Sequence, residues 1–214
     1  FLYTGFLRRR ATELVARNAA VIMPVSSMLQ QAMLKQGIKG RYRVISNIVD
    51  DFFYTTPRTE RDNDKKRILH VSCFLDRQKN ISGILRAVEL LCRSRRDFEL
   101  VVVGTGVDFA SIKDFAKTLD IPEGTLVFTG EQTPNEVADW LSRSDLFVMF
   151  SNYETACVVV MESLAAGVPV VATPTGIVPD FIKDNNGQIV DFDDVDALAE
   201  KMNMMLDHLD RYDS

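Results

Sequence analysis

The sequence predicts an α/β fold built on a doubly wound parallel sheet, and three observations carry that expectation. From Arg67 onward, short apolar runs of strand length alternate with helical patterns, the order that gives a parallel sheet with right-handed crossovers. The runs RILHVSCF, FELVVVGTG, DLFVMF and PVVAT are apolar on successive residues, as strands covered on both faces are. Between the last two lies VVVMESLAA, a helix apolar on nearly every side and therefore read as buried.

Bulk properties exclude several classes. With 46% hydrophobic and 26% charged residues the chain is globular rather than disordered. A net charge of -5 argues against a nucleic-acid partner, which needs a basic face. Cys73, Cys92 and Cys157 lack metal-ligand spacing and cannot all pair, which points to a reduced compartment. His70 and His208 form no cluster, so no metal site is expected. No run approaches eighteen apolar residues, so no membrane span is expected. A chain that starts at Phe1 with no secretory signal reads as a cytoplasmic fragment.

The elements follow in order. FLYTGFLRRRATELVARNA, 1–19, has helical spacing with Arg8, Arg9 and Arg10 in succession. A basic amphipathic helix suits a membrane surface, but the preferred reading is a solvated face on a helix of a larger domain. AVIMPVS, 20–26, reads as a strand ending at an N-cap serine, followed by a helix that stops at Gly37. RYRVISNIVDDFF, 41–53, reads as a strand and then a loop. TTPRTERDNDKK, 55–66, is hydrophilic with a proline and mixed charges, and reads as an interdomain linker. The expected organisation is a first-domain remnant over 1–54, a linker over 55–66 and a sheet-bearing domain over 67–214.

Within that domain, ISGILRAVELL places Ile81, Ile84, Leu85, Val88 and Leu91 on one face, behind Asn80 as cap. Gly104 and Gly106 are weak evidence for a dinucleotide site, because Phe109 breaks the fingerprint and the glycines serve a turn equally well. Thr133 and Glu136 form a capping box with Pro134 at the first helical position, and Trp140 and Leu141 read as core. Asp184 to Val190 is a turn into a short strand. The last helix, within 193–209, repeats Leu198, Met202, Met205, Leu206 and Leu209, with methionine as core filler.

The chemistry concentrates in SNYETACVVVMESLAAGVPVVATPTG, 151–176, where seven residues separate Glu154 from Glu162. In a continuous helix these carboxylates would stand roughly 80° apart. With Glu154 in the loop leaving a strand and Glu162 two turns into the helix, both instead face one crevice at the carboxyl ends of the sheet. The helix stops at Gly167 and Pro169. The N–H groups near Ala156 to Val158 at its start make an anion site. Carboxylates for hydroxyls and amides for phosphates suit a sugar joined to a diphosphate. Taken singly, each carboxylate is more simply a solvated or ion-paired residue, and the strand–loop–helix–strand context is what lifts the functional reading. In FLDRQKN, Arg77 and Lys79 precede a helix N-terminus, where cations are unfavourable by up to about 1 kcal/mol unless an anion is held there. As isolated residues they would read as exposed loop charges.

This stretch resembles the nucleotide-sugar-binding core of the retaining glycosyltransferases usually numbered family four, the glycosyl transferases group 1 of GT-B architecture. That core reads S-x-x-E, seven residues, E-A-x-A-x-G-x-P-V-V-A-T and a glycine loop. The resemblance implies two Rossmann-like domains, of which this chain holds the donor-binding one and a remnant of the acceptor-side one. NIVD, 47–50, is similar to the family's N-G-V-D with Ile48 for glycine. It implies retaining transfer from a nucleotide sugar to a glycan or lipid-linked acceptor, in polysaccharide or lipid-linked glycan assembly, with no metal or cofactor. Carried over, Glu154 contacts the sugar, Glu162 the ribose, and the amides of Ala156 to Val159 the diphosphate, while Lys79 neutralises the leaving group. Gly130 and Glu131 fall in the loop that meets the base. Cys73 occupies the place of a phosphate-binding arginine, for which Arg77 is the candidate substitute. Ala156 and Cys157 stand where an aromatic or proline and a glycine are common, and Gly176 where a glycine pair is common, departures that bear on sugar identity. The resemblance also implies an N-terminal domain of the same protein as partner, peripheral association with the inner face of a membrane for a lipid-linked acceptor, and little turnover by this fragment alone. The alternatives are a nucleotide-sugar epimerase of the same architecture and a non-catalytic nucleotide-sugar-binding domain; a dehydrogenase is disfavoured by the broken glycine fingerprint.

Overall fold

A computed structural model describes residues 6–59 and 64–212, so the expectations placed on 1–5 and on 60–63 lie outside the described residues. The chain divides into two compact units, Phe1–Ile48 and Val49–Ser214.

The first unit holds α1 (Phe6–Asn18) and α2 (Ser27–Lys35). Ser26 caps α2 as expected, its Oγ accepting from Leu29 N at 3.1 Å. The strands expected at 20–26 and 41–53 shrink to one parallel bridge, Ile22 with Tyr42. Ile22 N donates to Arg41 O at 2.7 Å and Arg43 N to Ile22 O at 2.9 Å. An isolated parallel pair has slanted bonds and no further strand beside it to extend the ladder.

The second unit begins ahead of the boundary placed at Tyr54. The segment read as a loop contains α3 (Asp51–Thr55), whose Phe53 is buried with Val49, Leu141 and Val160 in one apolar cluster. Beyond it, Arg58 Nη2 donates to Ser144 O and Gly167 O at 3.3 and 3.1 Å, so the start of the hydrophilic stretch is bonded to this unit.

Strands and helices then alternate: β1 (Lys66–Val71), α4 (Asp76–Lys79), α5 (Ile81–Leu91), β2 (Phe98–Val103), α6 (Phe109–Ala116), β3 (Leu126–Gly130), α7 (Pro134–Ser142), β4 (Leu146–Met149), α8 (Val158–Ala165), β5 (Val170–Ala172), α9 (Val178–Phe181), β6 (Gly187–Ile189) and α10 (Val195–Asp207). The strands form one parallel sheet in the order β3-β2-β1-β4-β5-β6, the doubly wound, Rossmann-like arrangement expected. The winding reverses between β1 and β4, the place in a doubly wound sheet where the loops at the carboxyl ends diverge. The joint there is slight. β1 pairs with β2 along its whole length, from Lys66↔Phe98 to Val71↔Val103, but with β4 only at Ile68↔Leu146 and Leu69↔Phe147.

Both sheet faces are covered, which is why the strand runs are apolar without alternation. On one face Ile84, Leu85 and Val88 of α5 and Met202 and Met205 of α10 pack over Ile68, Leu100 and Val148. On the other, Leu141 of α7 and Val160 of α8 pack over Leu69, Val101 and Phe147. The caps at Asn80 and Thr133–Glu136 form as expected. No described helix is long and apolar enough to cross a membrane.

Candidate active site

The two loops that flank the winding reversal meet at one ion pair. Past β1 the chain enters α4, a single turn whose last residue is Lys79. Arg77 and Lys79 lie in this turn and, as expected, directly ahead of the N-terminus of α5, which Asn80 caps. Lys79 is held by a carboxylate: its Nζ stands 2.5 Å from Glu154 Oε1, the two side chains only 14% and 7% exposed. Ser151 Oγ donates to the same oxygen at 2.9 Å, and Thr173 Oγ1 donates to Ser151 O at 2.6 Å, so the loop behind Glu154 is tied to the end of β5.

A second grip joins these loops. Asn152 N donates to Gln78 O at 2.8 Å and Asn152 Nδ2 to Arg77 O at 3.0 Å. These are carbonyls that a one-turn helix leaves open. Sequence reasoning missed Asn152, whose only signal is its place between Ser151 and Glu154. At its other end α4 is staked by Asp108 Oδ2, which accepts from Asp76 N at 2.8 Å, and by Asp76 Oδ1, which accepts from Ser82 N at 2.8 Å.

From Glu154 the chain enters α8 through Cys157, whose φ of 62° and ψ of 64° are left-handed. That conformation costs a side-chain-bearing residue roughly 1–2 kcal/mol, and glycine would adopt it freely. Ala156 O accepts from Ile177 N at 3.0 Å. Ala156 and Cys157 are buried, whereas Val158 and Val159 are half-buried in the first turn, where their N–H groups have no acceptor inside the helix. Glu162 is half-buried further along α8. Burial first, and the Asp50 carboxylate second, push its carboxyl above the usual range. Neither a hydrogen bond nor an ion pair joins it to any described residue. A ligand that brings hydroxyl donors would relieve both effects.

The remaining candidates sit apart from the ion pair. Gly130 closes β3, two strands from β1, and its carbonyl accepts from Gly104 N at 2.7 Å; Glu131 beyond it is exposed. They share the sheet's carboxyl edge with Lys79 and Glu154, but no described contact joins them to that pair. Arg77 and Cys73 are both exposed. Of the two readings of Gly104 and Gly106, the turn-shaping one is seen. A Cβ on Gly104 would stand 1.9 Å from Ser72 O, and one on Gly106 2.7 Å from Phe74 N, so bare backbone is what lets the loop after β2 press on the loop after β1.

Beneath the crevice, His70 is buried. Its Nδ1 donates to Val148 O at 2.9 Å, which leaves Nε2 to accept from Ser72 Oγ at 2.8 Å. Burial lowers its pKa to about 4, against the pull of the Val148 carbonyl and helped by the charge of Lys79. The described residues hold no group of three or more His, Cys, Asp and Glu placed to bind a metal.

A family model described as glycosyl transferases group 1 matches residues 55–212. The chain is similar to N-acetyl-alpha-D-glucosaminyl L-malate synthase of Bacillus anthracis, 29% identical over 143 residues that make up 66% of this chain and 36% of that protein. It is similar to alpha-monoglucosyldiacylglycerol synthase of Streptococcus pneumoniae, 28% identical over 176 residues, or 77% of this chain and 39% of that protein. The chain thus spans well under half the length of these curated relatives. Among solved structures, HepE of Anabaena in complex with UDP matches with a TM-score of 0.82 at 20% identity, covering 96% of this chain and 59% of that one. S. aureus TarM, solved with UDP among its ligands, matches with a TM-score of 0.82 at 19% identity, covering 96% and 40%. At these identities the likeness to solved structures is one of fold.

Proposed function

Because the chain belongs to the glycosyl transferases of group 1, we propose that it forms the donor-binding part of an enzyme that moves a sugar from a nucleoside-diphosphate sugar to an acceptor with retention of configuration. The observation that carries this reading is the meeting of Lys79 and Glu154 at the winding reversal, beside the N-terminal amides of α8. Lys79 and the amides of Val158 and Val159 neutralise the diphosphate as it leaves, an electrostatic task that fixed cations and dipoles perform without a metal ion. Glu154 holds the transferred sugar by its hydroxyls. Glu162, short of donors, takes the ribose diol. Gly130 and Glu131 border the base, and Arg77 is the further phosphate contact. The acceptor is a glycan or a lipid-linked group, in keeping with the diacylglycerol in the name of one relative. A cytoplasmic setting at the inner face of a membrane belongs to the same proposal. Acceptor binding and turnover are assigned to the longer protein that the relatives' lengths suggest.

The test is calorimetric titration of the chain with UDP, GDP and ADP, with and without a chelator, beside Glu162→Ala. Binding of one diphosphate, unchanged by the chelator and weakened roughly tenfold or more in the variant, is the expected result. A variant that binds as tightly as the parent would remove Glu162 from the site.

A further inference from the structure

Lys79 and Glu154 are assigned to different parts of one ligand, yet they are also each other's ion-pair partners. We propose that this ion pair makes the site favour the intact sugar nucleotide over the nucleoside diphosphate that remains after transfer, with Glu154 as the specificity-determining residue. The inference rests on the reading above, in which Lys79 meets the diphosphate and Glu154 the sugar.

Both side chains are largely withdrawn from water, and each is the other's charge partner at 2.5 Å. Separating such a pair is costly when either member is left desolvated and alone. Ser151 Oγ donates to the Oε1 that already takes Lys79, and one hydroxyl is a weak replacement for an ammonium. A nucleoside diphosphate offers anionic oxygens to Lys79 but nothing to Glu154, and it brings further negative charge towards that carboxylate. A sugar nucleotide offers a partner to each: phosphate oxygens to the ammonium and sugar hydroxyls to the carboxylate. The donor replaces both halves of the pair and the product only one. Glu154 therefore competes with the spent diphosphate for Lys79, which weakens product retention. The clamp of Asn152 on α4 keeps the two residues within reach of each other once the ligand departs.

The experiment measures dissociation constants for UDP, GDP, ADP, UDP-glucose, UDP-N-acetylglucosamine and GDP-mannose. Four forms are compared: wild type, Glu154→Gln, Lys79→Ala and the double variant, each checked by thermal melting. Glu154→Gln frees Lys79 and is expected to bind the matching nucleoside diphosphate roughly fivefold or more tightly, with no gain for the sugar nucleotide. In the Lys79→Ala background the same change should give no gain, because there is no lysine to release. An unchanged or weakened diphosphate affinity in Glu154→Gln overturns the inference, and so does an equal gain without Lys79, which would be bare charge repulsion. Should the glutamine variant not fold, Glu154→Ala serves the same comparison. If Lys79→Ala binds nucleoside diphosphate as wild type does, or if no probe binds wild type, the reading of the site itself falls and this inference falls with it.

Discussion

A neutral imidazole beneath the crevice ties stability to pH at the scale of a single residue. His70 has a pKa of about 4 in the folded chain against an ordinary 6.5. The unfolded chain thus takes up this proton first as pH falls. The stabilisation is complete above the ordinary value and is lost between there and about 4, by about 3 kcal/mol over the window. The Arg95-bonded carboxyl of Asp97, held at about 2, loses its contribution in a lower window, so the two are separable. Denaturant titrations between neutral pH and about 4 should show a shallower loss for His70→Gln than for the parent; parallel curves would mean that His70 titrates alike in both states. Glu162 runs the other way. Its raised pKa makes the ionised form a liability to the folded chain at neutral pH.

Among the elements, the loops decide more than the helices. Gly104 and Gly130 both have positive φ, 124° and 79°, but a Cβ on Gly104 would meet Ser72 O at 1.9 Å whereas one on Gly130 meets nothing. Gly130→Ala should cost only the left-handed strain, roughly 1–2 kcal/mol, and remain folded. Gly104→Ala must also drive two backbone segments apart, and should lose most of a total stability that is only about 5–15 kcal/mol for a typical domain. Similar melting temperatures for the two variants would show that the loops after β1 and β2 are not in firm contact. What was legible in the sequence divides along the same line. Continuous apolar strands, the Asn80 cap and the Thr133–Glu136 box are local signals, and they form as read. One-turn helices such as α3 and α4 contain too few residues for a periodic pattern, so the sequence alone does not distinguish them from loops. Within the site, Glu154 and Glu162 were visible because one loop and one helix space them. The bond between Lys79 and Glu154 joins residues 75 apart, and Asn152 reaches back as far; no spacing in a single chain records such contacts.

Across the whole molecule, the sheet is two halves of unequal attachment. β1, β2 and β3 are joined along nearly continuous registers, while β4 reaches β1 at two residue pairs, helped by Arg67 N to Asp145 Oδ2 at 2.7 Å and by the imidazole of His70 on Val148 O. The seam joins residues 78 apart, so its closure carries more loop entropy than the earlier pairings and gains fewer backbone bonds. In refolding followed by pulsed hydrogen exchange, amides of β1 and β2 should gain protection before those of β4 and β5; simultaneous protection would speak for a single concerted step. The slight joint also governs when Lys79 and Glu154 meet. Lys79 leaves the ribosome long before Glu154, on the half that is able to assemble early, and it has no carboxylate to meet until the seam closes. The ion pair is thus acquired only when the two halves join, and it is lost if they part.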